Sequence, residues 1–311
     1  MSDSTTASAA PASLAAALDA YLEDAAHQRT ENVYFNHVSL SRRFREFFEQ
    51  RPVDDIARLR RPDLLAFLDW LTHKRGSFTL STYNAGIEYL RHMGRFYLAR
   101  GWVKEPWAMD IPFQTIAVEA PTVLRRAELA ALIATAEKDD FRRMLVGLLG
   151  EVGLKKGEFV ALRFADVELE GPVPEVVVRY TGKLEKKSRR LALPAGLAAA
   201  IRRYVARRQT SGTFNYLEPL VPLTGRQVNN IIVSLCQEAG IRRANPQILR
   251  DTAAAQALSA GRPPAEVGHQ LGYTPRGYLL EFLPRFQLWI ESAAKADEKG
   301  PGNHEGTKTR V

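Results

Sequence analysis

Three short basic segments in the second half of the chain carry residues suited to one chemistry, the grip of a phosphate group. The first is Gly153-Leu154-Lys155-Lys156-Gly157-Glu158-Phe159, which runs on into Ala161-Leu162-Arg163-Phe164-Ala165-Asp166-Val167. The second is a glycine-initiated turn, Gly182 to Ser188, that holds Lys183, Lys186 and Lys187, with Arg189 and Arg190 just beyond it. The third is Pro246-Gln247-Ile248-Leu249-Arg250-Asp251-Thr252, followed by Leu271-Gly272-Tyr273 and an aromatic run that ends at Phe282. Lys and Arg at hairpin tips and helix starts bind backbone phosphates because side-chain charge and free amides act on the same oxygens. Taken singly, each segment equally matches a solvated basic turn or a surface ion pair.

Composition points to the same kind of partner. Lys plus Arg number 43 against 35 Asp plus Glu, a net charge of +8 and a pI near 9.6. That balance favours a polyanion, double-stranded DNA first. Cys236 is the only cysteine, which excludes a disulfide scaffold and a cysteine-based zinc site and fits a reducing cytosol. The motif set calls for no metal and no cofactor. No apolar stretch reaches the roughly 18 residues of a membrane span, and the Ser/Thr/Ala-rich start, Met1 to Ala12, lacks the pattern of a signal peptide. The chain reads as cytoplasmic and nucleoid-associated, with no membrane partner.

To hold these segments, 311 residues suggest two domains. Residues 1–12 and 296–311 read as disordered tails, 13–106 as a helical domain, 107–121 as a linker marked by Pro112 and Pro121, and 122–295 as a mixed domain. In the first domain, helical spacing joins Leu14, Leu18, Tyr21 and Leu22, and then Val33 through Phe48. A third helix spans Arg61–Lys74 with Pro62 in its first turn, and a fourth spans Ser81–Arg100 with Gly101 closing it. Trp102 and Trp107 pack the exit, while His27, His73 and His92 are surface or boundary residues. The second domain has helices at 126–137, 139–152, 156–163, 195–208, 225–239, 246–260, 263–271 and 276–295. Glu175–Thr181 and Arg189–Leu193 form an antiparallel β-hairpin, and Asn245 with Pro246 marks one helix start. The fold class is mainly α with a small antiparallel sheet: a four-helix domain followed by an α+β domain.

The order and spacing of these pieces resemble the tyrosine recombinase, or phage integrase, family over about residues 13–290. "AALDAYLED", "RRPDLLAFLDWL" and "LSTYNAGIEYLRHMGRFYLARGWVKEPW" resemble its helical, SAM-like core-binding domain. "GLKKGEFVALRFADV" resembles the motif that bears its first arginine, "TGKLEKKSRRLALP" its basic hairpin, and "PQILRDTAAAQAL" its His-x-x-Arg helix. "VGHQLGYTPRGYLLEF" resembles the segment that leads to its nucleophilic tyrosine. The resemblance implies metal-free DNA strand exchange: a tyrosine attacks the phosphate, two arginines clamp it, a lysine protonates the leaving oxygen and two histidine-type residues assist.

Carried over residue by residue, those roles fall on altered positions. The first arginine is Lys155, the hairpin lysine is kept as Lys183, the first histidine is Gln247, and the second arginine is kept as Arg250. The later histidine is Tyr273, and the nucleophile is Phe282. Lys155 keeps charge without the planar fork, Gln247 cannot carry a proton, and Phe282 has no oxygen. The resemblance thus implies a DNA clamp that binds phosphate through Lys155, Lys183, Gln247, Arg250 and Tyr273 and through the basic hairpin of Lys186, Lys187, Arg189 and Arg190, without strand cleavage. Two alternatives stay open. A shifted register makes His269 the assisting histidine and Tyr278, nine residues on, the nucleophile of an active recombinase. Alternatively, the C-terminal helix, with Phe286, Leu288, Trp289 and Ile290, self-associates on DNA or modulates a partner recombinase.

Overall fold

The computed structural model describes residues 11, 13–29, 31–51, 53–73, 79–179, 188–210 and 215–298. The expected N-terminal tail, and the C-terminal one beyond 298, lie outside these apart from residue 11. Two compact units divide the chain, Met1–Ala117 and Val118–Val311.

The first unit is the expected set of four helices: α1 (Leu14–Gln28), α2 (Glu31–Glu49), α3 (Arg61–His73) and α4 (Leu80–Ala99), with a 3₁₀ turn at Ile56–Arg58. Local chemistry sets the ends. The Ser13 hydroxyl accepts from the Ala16 amide at 3.2 Å, and Thr79 caps α4 in the same way. Gly101, at φ +70°, ends α4 in the left-handed region. The core is aromatic, with Phe44, Phe67, Tyr89 and Tyr97 fully buried. Beyond the expected domain end at 106, the chain stays with this unit. Trp107 and Ile111 are buried in its core, and a Cβ on Gly94 would come within 2.6 Å of the Trp107 Cβ. Arg91 donates to the carbonyls of Ala108 (2.9 Å) and Ile111 (2.6 Å), and Asn84 exchanges two hydrogen bonds with the Gln114 backbone. Half of the expected linker is therefore strapped along α4.

The second unit holds α5 (Arg126–Ala136), α6 (Asp140–Gly150), α7 (Lys156–Ala161), α8 (Ala195–Thr210), α9 (Gly225–Glu238), α10 (Pro246–Ser259), α11 (Pro264–Gln270), α12 (Pro275–Gly277) and α13 (Leu283–Glu298). Its sheet has three antiparallel strands in the order β1 (Val167–Glu168), β2 (Glu175–Arg179) and β3 (Ser188–Ala192). β1 is too short for a sequence pattern, so the hairpin expected from sequence gains an edge. The register pairs Val178 with Arg189 and Val176 with Leu191, which puts Arg189 and Leu191 on the buried face.

The single helix expected at 276–295 is interrupted. Tyr278–Phe282 forms a π turn between α12 and α13, closed by the Leu283 amide on the Tyr278 carbonyl. Pro284 accounts for it: proline has no N–H, and its ring would crowd the carbonyl four residues back, so the preceding turn widens. α13 then continues to Glu298, into the stretch read as a tail.

Candidate nucleic-acid interface

Lys155 stands immediately before α7, where its backbone N–H donates to Glu158 Oε2 at 2.8 Å. α10 starts at Pro246, after Asn245 Oδ1 accepts from the Ile248 amide at 2.9 Å, and so carries Gln247 and Arg250 one turn apart. These two segments and α9 enclose a recess of about 330 Å³ lined by Lys155, Lys156, Asn229, Asn245, Pro246, Gln247 and Arg250. Partial burial lowers the Lys155 ammonium pKa, and the nearby Arg250 guanidinium adds to the effect. Cations crowded together in this way are ready to be relieved by an anion.

The members of the recess are held differently. Gln247 is exposed, and its Nε2 donates to Asp251 Oδ1 at 2.8 Å, while Arg285 pairs with the other oxygen of Asp251 at 2.8 Å. Arg250 is 2% exposed. It donates through Nη1 to the Gly153 carbonyl and through Nη2 to the Leu271 carbonyl, each at 2.6 Å, and lies 5.3 Å from the centroid of the Tyr273 ring. The first carbonyl is turned inward by Gly153 at φ +82°. Arg250 is thus fixed as the charged floor of the recess, not as the free helix-start arginine the sequence suggested.

The hairpin differs from expectation as well. Lys183, Lys186 and Lys187 lie outside the described residues. Arg189 does not join an outward basic cluster: it is 6% exposed, with Nη1 and Nη2 on the two carboxylate oxygens of Glu158 at 3.0 and 2.7 Å and Nε on the Gln270 carbonyl at 2.8 Å. Strand alternation is the cause, since the residue after Ser188 must face inward. Arg190 faces outward, and Glu175 and Glu168 of the neighbouring strands pair with it.

Phe282, which the sequence resemblance puts at the nucleophile's place, has no exposed surface. Its ring lies 5.3 Å from Tyr273, 5.7 Å from Tyr278 in a stack at 25°, and 4.6 Å from Phe286. Tyr278 is seated against Gly268, where a Cβ would come within 2.6 Å of its ring. His269 is exposed on α11, and neither it nor Tyr278 lines the recess. The fold therefore brings Lys155, Gln247 and Arg250 together with Tyr273 behind them, and leaves His269 apart. Phe286 is buried and Trp289 packs partly on this same cluster, whereas Leu288 and Ile290 are exposed.

Sequence reasoning did not assign Glu158, Asn229 or Lys156 to the site. Glu158 anchors both Lys155 and Arg189. Its signal was present in the Lys155-x-x-Glu158 spacing, that of an acid three residues into a helix. Asn229 carried no comparable signal.

Residues 122–276 match the model of the phage integrase family. Among solved structures, the chain is similar to the XerH site-specific recombinase bound to its difH substrate in a pre-cleavage complex (17% identity, 90% of this chain and 83% of that one, TM-score 0.64). It is also similar to a lambda integrase dimer bound to a COC' core site (15% identity, 84% and 95%, TM-score 0.61). A third similarity is to the Tn1549 transposon integrase in complex with transposon right end DNA (18% identity, 89% and 99%, TM-score 0.64). No curated protein matches the chain. The fold is that of the tyrosine recombinases.

Proposed function

Because the chain belongs to the phage integrase family through residues 122–276, we propose that it is a DNA-binding protein of the tyrosine recombinase fold that engages duplex DNA without cutting it, in an architectural or regulatory role. The observation that carries this reading is Phe282. A ring without an oxygen fills the nucleophile-equivalent position and is fully buried among aromatic neighbours. In-line attack on a phosphate needs an oxygen at that point, and electrostatic assistance cannot substitute for it. Lys155 and Gln247 contact a backbone phosphate at the recess, and Arg250 supplies charge from its floor. Tyr273 holds that guanidinium, and Lys183, Lys186 and Lys187 of the hairpin add phosphate contacts. Nucleoid association follows from duplex binding. No helix among the described residues is long and apolar enough to cross a membrane.

The alternative register has less support. Tyr278 is wedged between Gly268 and Phe282, and the exposed His269 is not among the residues that line the recess. The test is incubation with nicked suicide duplexes at low salt, with binding confirmed by mobility shift and adducts read on denaturing gels. The expected result is a shift without a covalent adduct. An adduct that disappears in Tyr278→Phe overturns the reading and establishes the recombinase. The exposed Leu288 and Ile290 support a further reading, self-association through α13 on DNA. Sedimentation of protein–duplex complexes of increasing length tests it, with Leu288→Glu expected to hold the complex at one copy per site.

A further inference from the structure

Farther along α10 than the phosphate recess, the second unit has a cavity of about 680 Å³, a size that accepts a small organic molecule. Its apolar walls come from Val123 and Leu124 ahead of α5, Ala255 on α10 and the Trp289 indole on α13. These walls are pinned. Thr252 Oγ1 accepts from the Leu124 amide at 2.9 Å and donates to the Ile248 carbonyl at 2.7 Å, and Arg242 donates to the Val123 carbonyl. Phe286 meets the Trp289 ring edge-on at 6.4 Å. A cavity fixed by the fold in this way takes a ligand with little ordering cost.

The polar groups around the cavity are of one kind. Arg125 and Arg126 are exposed there, and neither guanidinium has an ion pair or a hydrogen bond among the described residues. Glu128, the acid closest to them in sequence, is already used. One of its carboxylate oxygens accepts from the Arg125 backbone N–H at 2.7 Å, and the other pairs with Arg242 at 3.1 Å. The Gln256 carboxamide, the Ser259 hydroxyl and the Trp289 indole N–H also have no hydrogen-bond partner among the described residues. No carboxylate lines the cavity among those residues. The site therefore presents an excess of donors, two of them charged, beside an aromatic wall.

We propose that this cavity binds a planar aromatic carboxylate, with its rings stacked on Trp289 and its carboxylate held by Arg125 and Arg126. Each feature of the ligand answers a feature of the site. Fused rings match the indole face and the apolar walls. A carboxylate matches the planar fork of a guanidinium and leaves no donor facing a donor. The cavity shares no lining residue with the phosphate recess, so the proposal stands whether or not the chain holds duplex DNA.

The experiment uses the full chain and β-naphthoate as the probe, titrated by ligand-observed NMR beside its uncharged isostere β-naphthamide. Naphthoate is expected to bind with a Kd of about 1 mM or tighter, the affinity that its size supports at ordinary ligand efficiency. Naphthamide, which cannot use the guanidiniums, should bind more weakly by roughly 10-fold, the worth of a charge-assisted hydrogen bond. The double change Arg125→Ala with Arg126→Ala should bring naphthoate down to the level of naphthamide and leave naphthamide itself unchanged. Ser259→Trp, a change at an exposed position, should fill the cavity and abolish binding of both, with circular dichroism showing the fold intact. Equal affinity for the two probes would overturn the proposal. So would naphthoate binding that survives either variant, or no binding by the unaltered chain at millimolar probe. Self-association in sedimentation that Ser259→Trp abolishes, with no naphthoate binding, would give the cavity to a second copy of the chain instead.

Discussion

Arg189 offers the sharpest separation between a residue that reaches for DNA and one that holds the interface together. Its guanidinium is buried on Glu158, and Glu158 in turn fixes the amide of Lys155. Arg189→Ala leaves the Glu158 carboxylate, 13% exposed, without its cation, and strands the Gln270 carbonyl. Removing one partner of a buried ion pair costs about 3–5 kcal/mol. Arg190→Ala, next in sequence but 52% exposed, should cost under about 1 kcal/mol. With a urea slope of about 3 kcal/mol/M for a unit of this size, the Arg189 substitution lowers the midpoint of the second unit by roughly 1–1.7 M, against at most about 0.3 M for Arg190. Urea titrations followed by circular dichroism, with mobility shifts in parallel, read both effects. The double change Arg189→Met with Glu158→Leu should recover most of the loss, because it removes the orphaned charge together with its partner. If Arg189→Ala proves no more destabilising than Arg190→Ala yet weakens DNA binding, the pair is not structural and Arg189 is a phosphate ligand after all.

Other outcomes follow from the same contacts. Duplex affinity should fall by a factor on the order of 10³ between 50 and 200 mM salt, and Lys155→Ala should reduce the log–log slope by about one, measured by fluorescence anisotropy. Gly153→Ala should destabilise the second unit by at least ~2 kcal/mol in urea titrations, since the residue sits at φ +82° and its Cβ would come within 2.4 Å of Leu271. The first unit should weaken in acid. His37, hydrogen-bonded to the Tyr21 hydroxyl at 2.7 Å, has its pKa lowered to about 4 by burial, with His92 and Arg29 adding to the shift. The folded-state pKa lies below the unfolded value of about 6.5, so the stability is complete above that pH. It is lost as the pH falls from there toward 4, by about 3 kcal/mol in all. Urea midpoints against pH should show that step, and His37→Gln should flatten it.

The sequence carried the element order well because strong local signals agreed with the tertiary packing. Helix starts at Pro246 and Gly225 and the stop at Gly101 need only neighbouring residues to be read, and the structure has them within a residue. The strap of residues 107–114 did not show, because its determinants are distant. Arg91 and Asn84 are ordinary polar helix residues until the returning backbone supplies carbonyls for them. β1 is two residues long and exists only because β2 offers it an edge. The π turn could have been read from Pro284, since a proline inside a helical pattern forces an adjustment one turn earlier.

The grouping of the candidate residues was legible in the sequence, and their posture much less so. Motif spacing selects Lys155, Gln247 and Arg250, and the fold gathers them in one recess. Whether a cation points outward or is consumed within is decided by partners far away in sequence. Glu158, 31 residues from Arg189, turns that arginine inward, while the carbonyls of Gly153 and Leu271 hold Arg250 from opposite sides. A positive charge bound to carbonyls keeps its field, because a carbonyl offers a dipole and no compensating charge, whereas one bound to a carboxylate is largely cancelled at a distance. On the function proposed, Arg250 attracts a phosphate from the floor of the recess without touching it, and Arg189, also buried, does not. The two arginines look alike in the sequence, and the difference between their partners decides which of them counts toward the anion.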